Sequence, residues 1–207
     1  SIISSKMSYE KALRNYANNS ESTIILAAST HENEELLIAN AILKISNPCQ
    51  FLVIFAPRHP YRALEIIRQL GKMPRRSKGE FPILNNPYFL SDSLGEMTSL
   101  YNVADIIILG GSFFRSGGHN PIEPALAGKQ IICGQSIFKN KSDYEELINI
   151  GMIRQVKSND TLGHTIKRIL SSTKTNGKAL IKGQKIAQEA CMRPSKAAHY
   201  IISTIEQ

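Results

Sequence analysis

The sequence has no tryptophan and only three cysteines, Cys49, Cys133 and Cys191. Because the cysteines lie far apart and fit no metal-ligand spacing, we interpret them as unpaired thiols in a reducing compartment. No HExxH or CxxC pattern occurs, so we expect no bound metal. The GxGxxG motif with its following acidic residue is also missing, which disfavours an NAD-dependent enzyme.

Long apolar segments are missing as well. No apolar run approaches the roughly 18 residues that would span a bilayer. The N-terminal 20 residues lack the basic start and apolar core of a signal peptide. Because the chain does not begin with methionine, we expect it to be a fragment of a longer polypeptide.

The 207 residues, 42% of them hydrophobic and 20% charged, indicate an ordinary globular protein of one large or two small domains. A net charge of +8 favours an anionic partner: a nucleic acid, a membrane face or a substrate. The one basic cluster is formed by Lys72, Arg75, Arg76 and Lys78. Because no aromatic-interleaved basic stripe accompanies it, a nucleic-acid role is disfavoured, and an anionic surface or substrate stays open.

Short apolar runs alternate with amphipathic segments along the chain. Strands are predicted at residues 23–28, 51–57, 87–92, 105–110, 130–134 and 153–158, with a short edge strand at 73–77. Helices are predicted at residues 31–46, 61–71, 94–104, 121–128, 142–151, 159–172 and 176–207, the last with a break at Pro194. Continuous Val/Ile/Leu strands separated by helices indicate parallel βαβ units. We therefore expect an α/β fold, a Rossmann-like doubly wound parallel sheet with helices on both faces.

The stretch ASTHENEE follows the first predicted strand. Ser29 with Glu32, or Thr30 with Asn33, could form an N-cap pairing for the next helix. The same hydroxyls and amides could instead hold an anion, since ligands of doubly wound sheets lie beyond the carboxyl ends of the strands. Both interpretations stay open on the sequence.

Two further strand ends carry polar residues. PRHP places Arg58 and His59 between prolines, where Arg58 suits phosphate or carboxylate, although a solvated loop would have the same sequence. SDSLGEM offers a serine or aspartate as a helix cap, and Gly95 allows a ligand to approach the backbone.

The stretch GGSFFRSGGHNPIEPALAGK follows the predicted strand that ends at residue 110. Gly110 and Gly111 permit positive φ and a close pass between backbone and ligand. Asn120 can cap the next helix, but Pro124 disfavours helical geometry at Glu123. We expect an irregular first turn that leaves the Glu123 carboxylate available to ligand hydroxyls.

Together, ASTHENEE, PRHP, SDSLGEM and LGGSFFRSGGHNPIEPALAGK resemble, in order and spacing, the C-terminal half of 3-deoxy-D-manno-octulosonic acid (Kdo) transferases. This family of bacterial GT-B glycosyltransferases acts in lipopolysaccharide assembly. The resemblance runs from about residue 23 to the C-terminus. GGSFFRSGGHNPIEPA is its most specific part, whereas PYR stands where the family commonly has Pro-Glu-Arg.

The resemblance implies a site for the donor CMP-Kdo, with no metal or other cofactor. By motif, the implied phosphate contacts are Ser29, Thr30 and Asn120, and Arg58 and His59 would face the phosphate or the Kdo carboxylate. Gly95, Glu96 and Met97 would lie along the cytidine, and Glu123 would bind the ribose hydroxyls. Gly111 and Ser112 would form the cleft floor. No residue of this chain is a catalytic base in this interpretation, and Arg58 stabilises the leaving group.

The resemblance also implies what surrounds this chain in a full enzyme. Residues 1–22 would be an N-terminal extension or interdomain segment, residues 23–175 the CMP-Kdo-binding domain, and residues 176–207 a helical segment reaching the absent acceptor domain. That acceptor domain would carry the base, the groove for a lipid A precursor and the membrane anchor. The enzyme would invert the sugar carbon at the cytoplasmic face of the inner membrane, and this fragment would itself be soluble and bind no nucleic acid.

Two rivals remain open on the sequence. One is another GT-B glycosyltransferase or a nucleotide-sugar epimerase with a UDP donor. The other is a non-catalytic nucleotide-binding module.

Overall fold

A computed structural model describes residues 2–45, 50–157, 159–171 and 177–192. Its sheet has six parallel strands: β1 (Thr23–Thr30), β2 (Phe51–Pro57), β3 (Tyr88–Leu90), β4 (Ile106–Leu109), β5 (Gln130–Cys133) and β6 (Ile153–Gln155). The strand order is β3-β2-β1-β4-β5-β6. The chain thus moves outward from β1 in both directions, which is the doubly wound arrangement predicted from the sequence.

The helices are α1 (Ile2–Ser20), α2 (Glu34–Leu43), α3 (Ala63–Leu70), α4 (Met97–Val103), α5 (Ile122–Leu126), α6 (Lys141–Asn149), α7 (Asn159–Ser171) and α8 (Gly177–Met192). Short 3-10 turns occupy Pro60–Arg62, Arg76–Lys78 and Phe138–Asn140. The apolar residues of α2, α3 and α7 pack on one face of the sheet, and those of α1, α4, α5, α6 and α8 pack on the other.

Successive side chains of β1 point alternately into the two hydrophobic cores, one on each face of the sheet. Ile24 and Leu26 belong to the cluster that contains α1, whereas Ile25 and Ala27 belong to the cluster that contains α2. All four side chains are fully buried. Because successive residues of a strand point to opposite faces, one uninterrupted apolar run fills the interior on both sides.

Helix α1 packs along the sheet through one stripe of its surface. Tyr9, Leu13 and Ala17, spaced four residues apart, are buried against α4 and the strands. This spacing puts the three side chains on the same side of the helix. The predicted boundaries at residues 22/23 and 175/176 stay predictions.

Several predicted elements differ from those observed. The helix predicted from residue 31 begins at Glu34, because the chain first completes a turn through Asn33, which has a φ of 65°. The predicted edge strand at residues 73–77 is reduced to a single bridge between Arg75 and Leu90. Residues 76–78 form a 3-10 turn instead of continuing the strand. Cys49, and the predicted helix beyond residue 192 with its break at Pro194, lie outside the described residues.

No helix in the described ranges is both long and apolar enough to cross a membrane. Cys133 is buried and Cys191 is exposed, and each is an unpaired thiol.

Candidate functional site

The carboxyl ends of the strands meet at one edge of the sheet, and the connections from β1 and β4 leave this edge in opposite directions. Such a switch point opens a crevice between neighbouring loops, where doubly wound proteins bind their ligands. A cleft of ≈ 170 Å³ lies at this edge. It is lined by Ser29, Ala56, Pro57, Arg58, Ser91, Ser93, Leu94, Gly95, Met97, Leu100, Tyr101 and Glu123.

Five of the predicted site residues therefore share one cleft: Ser29, Arg58, Gly95, Met97 and Glu123. They come from four separate motifs of the sequence. The remaining six predicted residues, Thr30, His59, Glu96, Gly111, Ser112 and Asn120, are not part of its lining.

The turn after β1 is built differently from the predicted N-cap. Residue Asn33, in left-handed geometry, precedes α2 and makes no side-chain capping bond, so both predicted cap pairings are wrong. Thr30 is fully buried, and its hydroxyl donates to Glu35 Oε1 over 2.6 Å. Ser29 lines the cleft with a φ of 53°, a value that few non-glycine residues adopt.

Glu35 belongs to an ion pair beneath the cleft. Its two carboxylate oxygens accept from Arg62 Nη1 at 2.8 Å and Nη2 at 3.1 Å. The Glu35 side chain is 0% exposed and that of Arg62 is 8% exposed. This two-point contact ties the turn after β1 to the turn after β2, because Arg62 ends the Pro60–Arg62 turn.

Arg58 and His59 follow β2 and are exposed. The Arg58 amide donates to the Thr30 carbonyl over 3.0 Å, which fixes the backbone at the cleft wall. The Arg58 guanidinium forms no ion pair with any residue in the described ranges. His59 stacks on Tyr61 at 5.3 Å, outside the cleft lining. Arg58 is therefore the cation that the cleft presents to an anionic ligand.

The segment 91–97 was predicted to cap its helix through Ser91, Asp92 or Ser93, and this prediction is wrong. Glu96 precedes α4 without a side-chain capping bond. Asp92 instead accepts from Arg75 Nη2 at 2.7 Å and from the Ser77 amide at 2.9 Å.

Asp92 is nearly buried, and two opposing effects act on it. Burial by itself raises the pKa of its carboxyl, but hydrogen bonds from Ser77 and the Arg75 guanidinium outweigh burial and lower that pKa. Asp92 is therefore an ionised anchor that joins the 76–78 turn to the end of β3.

Glu96 is held by side chains of its own surroundings. Its carboxylate accepts from Arg76 at 2.8 and 2.9 Å and from the Ser93 hydroxyl. The Arg76 guanidinium also lies 4.3 Å from the ring centroid of Tyr9. Two members of the basic cluster, Arg75 and Arg76, are thus occupied by internal carboxylates, which the sequence did not show.

The glycine-rich loop after β4 meets the turn after β1 at backbone level. A Cβ at Gly110 would lie 2.6 Å from the Ser29 carbonyl oxygen and 2.7 Å from Thr30 Cα. Only Gly111 of this pair has a positive φ, 68°. The predicted reason for Gly110, close approach to a ligand, is replaced by close approach to the neighbouring loop.

Ser112 has a structural position beneath the loop. Its hydroxyl donates to the Leu109 carbonyl over 2.6 Å and accepts from the Gly134 amide over 2.8 Å. The side chain is fully buried. Ser112 therefore joins the ends of β4 and β5 below the cleft.

Helix α5 begins at Ile122, one residue later than predicted, and without the irregular turn. Asn120 Oδ1 accepts from the Ile122 amide over 2.9 Å, but the N-cap position is Pro121 and not Asn120, so the predicted cap is displaced by one residue. Pro124 lies in the first turn of a regular helix, where its missing amide has no intrahelical acceptor to lose, and the predicted irregularity is wrong. Glu123 is exposed, and its carboxylate forms no ion pair within the described part of the chain.

A histidine pair joins the two loops beside the cleft. His31 Nε2 and His119 Nε2 are 2.8 Å apart, so one ring donates to the other. Burial, with the nearby charges of His31, Arg58 and Lys139, lowers the pKa of His119 to about 4. Burial also lowers the pKa of His31. Both rings are therefore neutral at neutral pH.

Tyr101 lines the cleft, although sequence reasoning missed it. Its phenol is nearly buried, and burial together with the Glu123 charge raises its pKa. Tyr101 follows Met97 by four residues on α4, and this spacing places both side chains on one side of the helix. The helical spacing from Met97 was the available signal.

A larger groove, of ≈ 940 Å³, lies beyond the edge strand β3, between α3 and residues 72–86. It contains none of the predicted site residues. We place the site in the smaller cleft, because of these two cavities it is the one that lies at the strand ends and gathers the motifs.

In the described part of the chain, no group of three or more His, Cys, Asp or Glu side chains could hold a metal ion. The absence of a cofactor stays a prediction.

Comparisons with known proteins agree with the four motifs. No protein-family model matches the chain. The chain is 30% identical over 172 residues to the 3-deoxy-D-manno-octulosonic acid transferase of Haemophilus influenzae, and 37% identical over 138 residues to that of Bordetella pertussis. This chain is homologous to one part of the Kdo transferases. These matches cover 80% and 62% of the chain but only 40% and 32% of the two relatives, so it spans less than half of their length.

Solved structures show the same fold as this homologue of the Kdo transferases. The C-terminal CMP-Kdo binding domain of WaaA from Acinetobacter baumannii superimposes with a TM-score of 0.76, covering 88% of this chain and 99% of that domain at 24% identity. HepE of Anabaena in complex with UDP-glucose gives a TM-score of 0.58 at 14% identity, covering 88% of this chain and 48% of HepE. At these identities the likeness concerns the fold, which is that of one Rossmann-like half of a GT-B glycosyltransferase.

Proposed function

We propose that this chain is the donor-binding half of a Kdo transferase and that its cleft binds CMP-Kdo. The observation that carries the proposal is the meeting of Ser29, Arg58, Gly95, Met97 and Glu123 in one cleft. The chain that brings them together is homologous to the Kdo transferases, and an A. baumannii domain of the same fold is described as CMP-Kdo binding.

Arg58 is the proposed contact for the CMP phosphate. In the transfer, the bond between the anomeric carbon of Kdo and a phosphate oxygen breaks, and the electron pair goes to the phosphate. A guanidinium without an internal carboxylate partner can stabilise that added negative charge. Asn120 lies outside the cleft lining, but its side-chain oxygen accepts from the Ile122 amide, and its exposed side-chain NH2 group can still donate to a phosphate.

Glu123 is the proposed contact for the ribose. Its exposed carboxylate lines the cleft beside Tyr101, and a carboxylate can accept from both ribose hydroxyls. Gly95 and Met97 form the adjacent wall, where the cytidine base would lie. A Cβ at Gly95 would meet no atom within 4 Å, so the backbone there is open to a ligand.

Titration of the chain with CMP by calorimetry tests the proposal. We expect binding, and we expect Arg58→Ala to raise the dissociation constant about ten- to a hundredfold, because a hydrogen bond to a charged group contributes ~1.5–3 kcal/mol. Glu123→Gln keeps the size of the side chain and removes its charge, and it should also raise the dissociation constant for CMP.

Matched controls are available on exposed surfaces. Arg68 on α3 and Glu189 on α8 are exposed and do not line the cleft, so Arg68→Ala and Glu189→Gln should leave CMP affinity unchanged. No heat at millimolar CMP would refute the donor site. Equal affinity in wild type, Arg58→Ala and Glu123→Gln would refute the two named contacts.

Competition between CMP and UDP separates the main proposal from a UDP-dependent transferase or epimerase. Stronger binding of UDP than of CMP would favour those rivals. Binding of CMP without transfer by the full-length protein would favour a nucleotide-binding module.

The remaining steps belong to the rest of the full-length protein in this proposal. An acceptor half would bind a lipid A precursor at the anionic inner-membrane face, and its base would take the proton of the attacking hydroxyl. The net charge of +8 is compatible with such anionic partners. This chain alone should bind donor and show no transfer.

A further inference from the structure

One fully buried carboxylate connects the turn after β1, whose Ser29 lines the cleft, to the glycine-rich loop after β4. Glu34, the first residue of α2, is 0% exposed. Its Oε2 accepts from the amides of His31 and Gly111, each over 2.8 Å, and its Oε1 accepts from the Phe113 amide over 3.1 Å. His31 lies in the turn after β1, whereas Gly111 and Phe113 lie in the glycine-rich loop after β4.

The contact around Glu34 leaves little room for adjustment. A Cβ at Gly110 would lie 2.8 Å from Glu34 Oε2, in addition to its close approach to the Ser29 carbonyl. The carboxylate therefore sits in a space that only a glycine backbone leaves open. Ser29, which lines the cleft, has its φ of 53° directly beside this contact.

Glu34 also fills the place where an anionic ligand would bind in many doubly wound proteins. The first amides of α2 and the turn before it are natural anion donors, and the His31 amide is already bonded to the Glu34 carboxylate. A donor phosphate would have to displace the Glu34 carboxylate to use this amide, whereas the Arg58 guanidinium has no ion-pair partner among the described residues.

We propose that Glu34 is a positioning residue that holds Ser29 and the glycine-rich loop at the separation needed for the donor, without touching the donor itself. The proposal rests on the proposed function for its ligand. Loss of the carboxylate leaves three backbone amides without their acceptor, and the two loops then separate.

A graded series of variants tests Glu34. Glu34→Gln keeps the shape but offers one acceptor oxygen in place of two, and Glu34→Ala offers none. We expect the CMP dissociation constant to rise about tenfold in Glu34→Ala, the equivalent of roughly one lost hydrogen bond, with an intermediate value in Glu34→Gln.

The control separates positioning from general destabilisation. Ile153, 1% exposed, belongs to β6, three strands away from β1 in the sheet. Ile153→Ala should lower the melting temperature through a cavity and change CMP affinity by less than about twofold. If the Glu34 variants bind CMP as Ile153→Ala does at equal stability, the positioning role is wrong.

A second measurement does not depend on CMP. In ¹⁵N-resolved spectra, the amide resonances of Gly111 and Phe113 should move and their hydrogen exchange should accelerate in Glu34→Gln, but not in Ile153→Ala. Unchanged amides would overturn the proposal even if affinity fell. If wild type does not bind CMP, the proposed function fails, and these amides still decide whether Glu34 holds the two loops together. Should Glu34→Ala not fold, Glu34→Gln carries both measurements.

Discussion

Replacing Arg62 by methionine should destabilise the domain strongly, because Arg62 neutralises a carboxylate that water does not reach. The Glu35 side chain is 0% exposed, and the guanidinium binds its two oxygens at 2.8 and 3.1 Å. Without Arg62, the Thr30 hydroxyl is the one hydrogen-bond donor that the described residues offer to this carboxylate. Breaking one side of a buried ion pair costs about 3–5 kcal/mol.

That cost is a large part of the stability of an ordinary domain, which is ~5–15 kcal/mol. For a domain of this size, a loss of 3–5 kcal/mol lowers the melting temperature by roughly 6–20 °C. Urea unfolding followed by circular dichroism measures the free energy directly. Arg68→Met is the matched control, because Arg68 is exposed on α3, the helix that follows the Pro60–Arg62 turn, and we expect a change within about 0.5 kcal/mol.

A double variant distinguishes a lost ion pair from lost packing. In Glu35→Leu/Arg62→Met both charges are gone, so most of the stability lost in Arg62→Met should return. A loss below ~1 kcal/mol in Arg62→Met would refute the reasoning. So would a double variant that is no more stable than the single one.

Two further predictions concern the loops of the cleft. Because the pKa of His119 is about 4 in the folded protein against an ordinary 6.5, the unfolded chain binds the proton first as the pH falls. The free energy of unfolding should therefore decrease from about pH 6.5 to pH 4, and less steeply in His119→Gln; equal slopes in urea titrations would contradict this. Gly110→Ala should lower the free energy of unfolding by at least about 1–3 kcal/mol, since its Cβ would lie 2.6 Å from the Ser29 carbonyl oxygen. This loss should exceed that of Gly95→Ala, where the new Cβ meets no atom and the cost is only the ~1–2 kcal/mol strain of positive φ. A smaller cost for Gly110→Ala in the same assay would show that the two loops are not in contact.

Much of the fold follows from local patterns in the sequence. The run FLVIFAP predicted a buried strand, and β2 occupies those residues with every side chain buried. The start of α5 was predicted to within one residue, because helix starts depend on neighbours within a few residues. Strand and helix identities depend on a period of two or 3.6 residues, which short windows of sequence contain.

The site was predictable only in part. The family resemblance predicted Ser29, Arg58 and Glu123 as site residues, and all three line the cleft. It gave no sign that the Thr30 hydroxyl donates to Glu35 or that the Glu96 carboxylate accepts from Arg76. These internal hydrogen bonds decide which polar groups remain available to a ligand.

The sequence by itself determined the alternation of strands and helices, the parallel sheet and the four motifs at the strand ends. Tertiary structure alone decided the strand order and the partners of the buried charges. In the sequence, Glu34 looks like an ordinary acidic residue in the first turn of a helix. In the structure, its carboxylate accepts hydrogen bonds from backbone amides 77 and 79 positions away. The physical reason is that capping and periodicity act between near neighbours, whereas the partner of a buried charge is set by which distant segments the sheet brings together.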